Sequence, residues 1–421
     1  MSPRLLSITL RALTLATRFA LSLVVARSLA LEQAGLFFLY LAGVQIAAAL
    51  LPLDIYSSTA RALLRADSRR GEQIGVQIGR HFGAIVFLAF VLGPLAAVAF
   101  YFSSTSIGIE FVLLFPIHIG LEAVSNDIGR ILVPLKRPLA AATFLFLRSA
   151  IWIFPAVILF ESDLWQTNAF GLAMSWFAAS GLTTALGLFL IRQSTDARLR
   201  LSLSLNWLGK NLRHSLLFLA GSLVFRLVTG GDRFLVANAL GLDAAAIYGF
   251  FVSLAFGLLA LLETGSSAWN YPQLVKAIQA KNGRETRSVL IRFAWQNSIA
   301  ALLLTSTLAF GFPPVAGLIL DPIYAENTTL FHLVCFGVLL LGLSLPCNYV
   351  IYGFGYDQFR LLTMIFGAGT LLLGWYFWLP SGGVLGAGMM LASAFGAIAL
   401  GRLLAMGYLL FTARHWEEPQ P

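Results

Sequence analysis

Three arginines stand deep inside long apolar runs: Arg18, Arg148 and Arg226. A guanidinium does not discharge by losing its proton, and its planar fork matches phosphate and carboxylate oxygens. Inside a bilayer such a group is costly, and it marks either a functional site or a locked ion pair. At about 1.5 Å of rise per residue, Arg18 lies about 13 residues from the inner end of the first predicted span, Arg148 about 10 residues into the fifth and Arg226 about 13 into the seventh. The three therefore share a depth near the bilayer midplane. Facing a common cavity, they would make a cationic site for an anionic substrate. The alternative is that each meets an internal carboxylate and only locks helices together. Arg402, nearer the inner end of the last span, is a weaker fourth candidate, because snorkelling to the interface explains it as well.

Other ionisable groups occupy a different layer. Asp54, Glu122, Asp127 and Glu263 fall in the inner third of their spans, away from the arginines. Arg11 joins that layer on the same helix face as Arg18, since seven residues is nearly two turns. The layer reads as a cytoplasmic gate of ion pairs or, equally, as a fixed network. Asp232 and Arg233 follow Gly230 and Gly231 in the outer half of the seventh span, where paired glycines permit a bend or close packing. His118, at mid-depth of the fourth span, lines a cavity or satisfies a core hydrogen bond. The two cysteines, Cys335 and Cys347, are about three turns apart on one predicted helix, cannot bridge, and read as small core residues.

These groups need elements to hold them. Hydrophobic residues are 58% of the 421 and charged ones 11%, against roughly a quarter charged in a soluble domain. That composition defines an all-α polytopic membrane protein. Runs of about 20 apolar residues give twelve predicted spans: 5–29, 35–60, 79–102, 107–131, 138–160 and 166–191, then 213–240, 244–269, 288–311, 328–352, 359–379 and 383–412. The net charge of +9 reflects inner loops rather than nucleic-acid binding. Arg61, Arg65, Arg69, Arg70, Arg130, Lys136, Arg137 and the cations of 192–213 and 276–287 fall on one side. Glu32, Glu161, Asp163, Asp243, Asp321 and Glu326 fall on the other. The positive-inside rule then puts both termini in the cytoplasm. The first span, interrupted by Arg11 and Arg18, reads as a retained helix and not a cleaved signal.

The chain also repeats itself. Leu31-Glu32-Gln33-Ala34-Gly35-Leu36-Phe37 aligns with Leu242-Asp243-Ala244-Ala245-Ala246-Ile247-Tyr248, and the basic stretch 61–81 with 272–292 at the same offset. Duplicated halves of like topology are a transporter architecture. The expected organisation is an amino-terminal lobe, 1–191, a cytoplasmic amphipathic connector, 192–212, and a carboxy-terminal lobe, 213–421. No G-x-S-x-G elbow, P-loop or metal-ligand spacing occurs, so neither an enzyme nor a cofactor is expected. Energy would come from an H⁺ or Na⁺ gradient, the membrane potential or consumption of the product.

Arg27-Ser28-Leu29-Ala30-Leu31-Glu32-Gln33-Ala34-Gly35-Leu36-Phe37, Gly231-Asp232-Arg233-Phe234-Leu235, Leu240 to Tyr248 and Gly382-Gly383-Val384-Leu385-Gly386-Ala387-Gly388 together resemble one group. It is the polysaccharide-transporter branch of the multidrug/oligosaccharidyl-lipid/polysaccharide (MOP) exporter superfamily, which contains the O-antigen flippases. The resemblance covers nearly the whole chain. It implies two pseudo-symmetric six-helix lobes around a central cavity, alternating access, and a bacterial inner-membrane location. It implies an undecaprenyl-pyrophosphate-linked oligosaccharide as substrate, with membrane lipids, a polysaccharide polymerase and a chain-length regulator as candidate partners. The competing readings are a drug or metabolite/cation antiporter of the same superfamily, a polytopic glycan polymerase or ligase, and a scaffold.

The charge asymmetry predicts that reporter fusions after Gly35, Asp163 and Asp243 report the outside, and fusions after Arg70, Lys136 and Arg284 the inside. One robust reversal contradicts the topology.

Overall fold

In lipid, backbone N–H and C=O groups must be satisfied within the segment, so apolar runs of this length fold as helices. A computed structural model describes residues 3–65, 71–103, 107–135, 137–161, 168–195 and 200–412, and no strand occurs among them. Two compact units result, Met1–Leu219 and Ala220–Pro421. Their boundary falls inside a helix, a few residues past the expected lobe start at 213.

The first unit contains α1 (Pro3–Ser28), α2 (Leu31–Leu50), α3 (Tyr56–Arg65), α4 (Gly71–Phe102), α5 (Ile109–Ile131), α6 (Pro138–Phe146), α7 (Ile153–Glu161), α8 (Ala169–Thr195) and the start of α9 (Leu205–Arg226). The second continues with α10 (Asp232–Leu240), α11 (Leu242–Leu262), α12 (Ala268–Gln279), α13 (Gly283–Ile319), α14 (Pro322–Glu326), α15 (Thr328–Leu343), α16 (Leu345–Gly353) and α17 (Asp357–Thr412). Among the described residues, ten helices are long and apolar enough to cross a membrane. Two further spans reconcile this with twelve. One is the continuous α9–α10 rod, and the other arises because α17 is two helices meeting at Gly383, whose φ is +55°.

Glycine makes that hairpin possible. A positive φ there excludes a side chain at little cost only for Gly. A Cβ on Gly386 would lie 2.1 Å from the Trp378 carbonyl oxygen, and one on Gly374 3.0 Å from Met390. The 382–388 motif is thus a backbone-to-backbone contact, the means by which membrane helices approach closely.

The repeat is visible in the elements. α2 starts at Leu31 and α11 at Leu242, the two positions aligned in the sequence. Each then loses its regular helix at the same point. In the second unit a π-helical turn, Glu263–Ser267, joins α11 to α12. In the first, the aligned residues 51–55 form a turn with positive φ at Leu53 and Asp54. The expected single span 35–60 is therefore α2, a turn and α3. Pro52, which has no N–H to donate, explains the break.

The connector also differs from a surface helix. α8 continues to Thr195 and α9 starts at Leu205, so the described part of the connector, 200–204, is extended. Ser202 N donates to the Gly79 carbonyl at 3.2 Å. A Cβ on Gly79 would lie 2.1 Å from the Arg200 carbonyl oxygen, and one on Gly83 2.4 Å from that of Ser202. Gly79 and Gly83, four apart on α4, form the bed for this segment, while Leu201 and Leu203 are exposed.

Gly79→Ala should therefore lower the melting temperature, by a clash worth roughly 1–3 kcal/mol. Gly257→Ala, on a helix with open space around it, should be neutral or stabilising by up to ~1 kcal/mol. Equal melting of the two variants would remove the connector contact from the account.

Candidate functional site

The centre of the first unit is a buried chain of polar groups on four helices. On α5, His118, Glu122 and Asn126 are spaced by four and share one face. On α8, Trp176 and Ser180 do the same. Between α6 and α7 a π-helical turn, Leu147–Ile151, carries Arg148 and Ser149. Such one-turn irregularities re-aim side chains, and here the turn directs Arg148 at Glu122.

Glu122, 3% exposed, accepts four hydrogen bonds. Oε2 takes Nη2 and Nε of Arg148 at 2.5 and 3.1 Å. Oε1 takes Ser180 Oγ at 2.6 Å and Trp176 Nε1 at 3.1 Å. Arg148 Nη1 donates to Asn126 Oδ1 at 3.2 Å. Behind Ser180, His118 has Nε2 3.4 Å from Ser180 Oγ and Nδ1 2.7 Å from Tyr40 OH. Ser180 gives its proton to the carboxylate, so it accepts from His118 Nε2–H. His118 Nδ1 then accepts from Tyr40, an order assigned from the network. Every donor in the chain points toward Glu122.

This corrects the expected layering. Glu122 was placed in an inner carboxylate layer, apart from the arginines, yet it is the partner of Arg148. Arg148 therefore satisfies the locked-pair alternative. The missed signal was the 118/122/126 polar face of α5. Tyr40 and Ser180 gave none, since a hydroxyl on an apolar helix is unremarkable. For His118, the hydrogen-bonded core role is the one realised.

Arg18 behaves differently. From α1 its Nη2 donates to Ser149 Oγ at 2.8 Å, and Ser149 is next to Arg148 in the chain. Arg18 is exposed.

A second network in this unit centres on Asp127. Asp127, fully buried, bonds His81 Nε2 at 3.0 Å and Arg130 Nη1 at 3.2 Å. His81 Nδ1 lies 3.0 Å from Thr59 Oγ1. Arg130 also sits 4.0 Å from Asp54 and 3.7 Å above the Tyr56 ring. Asp54 and Asp127 thus come together as expected, through Arg130 and the unforeseen His81. Arg11 is exposed on α1. The network ties α3, α4 and α5 within one unit, which is the fixed-network reading.

In the second unit, Arg226 ends α9 with an exposed side chain, just before a second π-helical turn, Leu227–Gly231. The glycine pair expected to bend this span lies in that turn. Beyond it, Tyr248 OH donates to Asp232 Oδ2 at 2.5 Å, and Arg233 Nη2 to Ser253 Oγ at 3.4 Å. Asp232 and Arg233 are both buried. Glu263 opens the third π-turn and feels the charges of Arg402 and Arg226. Arg402 does not snorkel: it is 4% exposed and donates through Nη1 to Ser344 Oγ at 2.9 Å. Cys335 and Cys347 are buried free thiols. Among the described residues, no group of three or more His, Cys, Asp or Glu could hold a metal ion.

The fold is that of the MATE transporters of the MOP superfamily. The chain superposes on an inward-facing multidrug resistance MATE transporter with a TM-score of 0.74, at 16% identity over 96% of each chain. An outward-facing multidrug resistance MATE transporter gives 0.61, at 16% identity over 99% of this chain and 97% of that one. A MOP transporter from Pyrococcus furiosus Vc1, described as having a binding pocket of reverse polarity that suggests a different function, gives 0.62 at 14% identity, over 98% and 94%. No family model matches the sequence, and no curated protein does.

Removing one partner of a buried pair leaves an uncompensated charge, a loss of roughly 3–5 kcal/mol. Arg148→Ala should therefore melt well below the parent, and adding Glu122→Gln should recover part of the loss. An Arg148→Ala variant as stable as the parent would show that the pair holds nothing together.

Proposed function

We propose that the protein is a flippase that moves an undecaprenyl-pyrophosphate-linked oligosaccharide, an O-antigen or exopolysaccharide repeat unit, from the cytoplasmic to the periplasmic leaflet by alternating access. The observation that carries the reading is the charge balance of the first unit. Arg148 takes up the one carboxylate, Glu122, whose oxygens already hold four donors. Arg18 keeps an accessible guanidinium whose bonded partner is the neutral Ser149 hydroxyl. Positive charge held accessible within an apolar span favours an anion. A pyrophosphate loses its water as it crosses, and a guanidinium fork replaces that water with charge-assisted hydrogen bonds.

The residues divide the task. In the first unit Arg18 contacts the pyrophosphate, and in the second unit Arg226 is a candidate contact. Arg148 raises the local positive potential while Glu122 holds it in place. The conformational cycle draws on an H⁺ or Na⁺ gradient, the membrane potential or removal of the product. The sugar polymerase and chain-length regulator are partners of the pathway.

A second reading is favoured by the multidrug transporters among the structural relatives: export of organic cations in exchange for H⁺ or Na⁺. It asks for a carboxylate open to a cation. Glu122 is buried and saturated and Asp232 is fully buried, which leaves the exposed Glu263 of the second unit as the carboxylate that reading would use. The description of the Pyrococcus furiosus relative supports the view that one fold serves pockets of different polarity.

Arg18→Ala and Arg226→Ala should each remove a charge-assisted contact of roughly 1.5–3 kcal/mol, a ten- to hundredfold loss in binding at about 1.4 kcal/mol per decade. Melting should stay near that of the parent, because neither side chain is buried. Lys should rescue only partly, as a point charge without the fork. Well-folded Ala variants of both positions that bind and flip a lipid-pyrophosphate sugar like the parent would sink the assignment.

A further inference from the structure

In the second unit two arginines, one on each half of α17, meet the same stretch of chain, 344–348. Arg402, on the second half of α17, donates through Nη1 to Ser344 Oγ at 2.9 Å. Arg360, at the start of α17, donates through Nε to Asn348 Oδ1 at 3.4 Å. Ser344 and Asn348 are four residues apart, linked by Asn348 N donating to the Ser344 carbonyl at 3.1 Å. They therefore stand one turn apart on the same face of α16. The two halves of α17 run side by side at this level, where a Cβ on Gly401 would touch Thr363 at 3.1 Å. That contact, with Ser344 and Asn348 one turn apart, brings the two arginines to the same level.

Arg360 has a carboxylate partner, Asp357, at 3.3 Å. Among the described residues Arg402 has no carboxylate at salt-bridge distance, and Glu263 is exposed. Arg402 is 4% exposed, and its Nε–H has no hydrogen-bond partner in the protein. A buried donor on a cation left without an acceptor is strongly disfavoured, and a second cation near a buried guanidinium adds repulsion that an anion between them would relieve.

We infer that Arg402 and Arg360, held by Ser344 and Asn348, form a binding site for a phosphate-type anion within the second unit, separate from Arg18 and Arg226. Arg402 is the deep contact, giving the Nε–H that the protein leaves unpaired. Arg360, one-third exposed, is the mouth. A phosphoryl group has enough acceptor oxygens to take donors from both forks. The chemistry is the same for a free phosphate compound and for a lipid-borne one. That the source is a lipid carrier rests on the flippase reading, whereas the anion site itself does not.

The test uses the full chain in detergent micelles, in an Arg18→Gln, Arg226→Gln background, with inorganic pyrophosphate as probe and calorimetry as readout. Pyrophosphate should bind, and adding Arg402→Gln should weaken it at least tenfold, with Arg402→Lys intermediate. Arg360→Gln, at a partly exposed position, should fold normally and also weaken binding, so the inference is tested even where Arg402→Gln fails to fold. Loss of pyrophosphate binding in the Arg18→Gln, Arg226→Gln background, or equal binding with and without Arg360→Gln and Arg402→Gln, overturns it. A second arm adds a polyprenyl pyrophosphate. Competition with the inorganic probe supports the site and assigns a lipid source. Inorganic binding that depends on Arg402 without such competition supports the site with a soluble source, and counts against the flippase reading alone.

Discussion

A charge inside a bilayer must have a partner, a ligand or a path to water, and this constraint orders the molecule. Glu122 and Arg148 illustrate the first solution. Neither would be tolerated alone in an apolar bundle, because desolvation of either ion costs several kcal/mol. Their joint geometry requires α5 to meet the π-turn after α6, and the saturation of Glu122 requires α8 to bring Trp176 and Ser180 alongside. The packing of half the first unit thus follows from satisfying one carboxylate. The His81–Asp127–Arg130 network does the same for α3, α4 and α5.

The three π-turns fall where charged groups must be aimed. One carries Arg148, one separates Arg226 from Asp232, and one begins at Glu263. A regular helix fixes side-chain direction by position, so a bulge is the means of turning a residue without ending the span. The third bulge coincides, in the repeat, with the turn carrying Leu53 and Asp54. The two units therefore keep an irregular backbone at the same station although the sequences there, Pro52-Leu53-Asp54 and Glu263-Thr264-Gly265, are unalike.

Much of the fold was legible because membrane helices announce themselves by length and apolarity. The helices expected at 35 and 244 start a few residues earlier, at Leu31 and Leu242, and the 382–388 motif lies at the bend before the last span. The break at Pro52 was masked by the apolar residues on either side, and the extended connector by a composition that suits an amphipathic helix as well. Candidate charges were found by type, but not their partners. Depth along a span says which residues are level on straight, upright helices. It does not say how far a long side chain reaches, and Glu122 and Arg148 meet across the depth assigned to each. Arg402 was misread for the same reason: nearness to the inner end suggested snorkelling, while its direction is set by Ser344 on α16. Buried hydroxyls such as Tyr40 and Ser180 acquire meaning only beside the carboxylate they serve.

Central to this account is the sign of the charge that the protein carries across the membrane. Purified full-length protein in proteoliposomes, given on the same day a fluorescent lipid-pyrophosphate sugar and a hydrophobic organic cation, measures it directly. The account predicts translocation of the lipid-pyrophosphate sugar, competition by inorganic pyrophosphate, and no protein-dependent movement of the cation. Proton- or sodium-driven transport of the cation with no movement of the anionic lipid would contradict it.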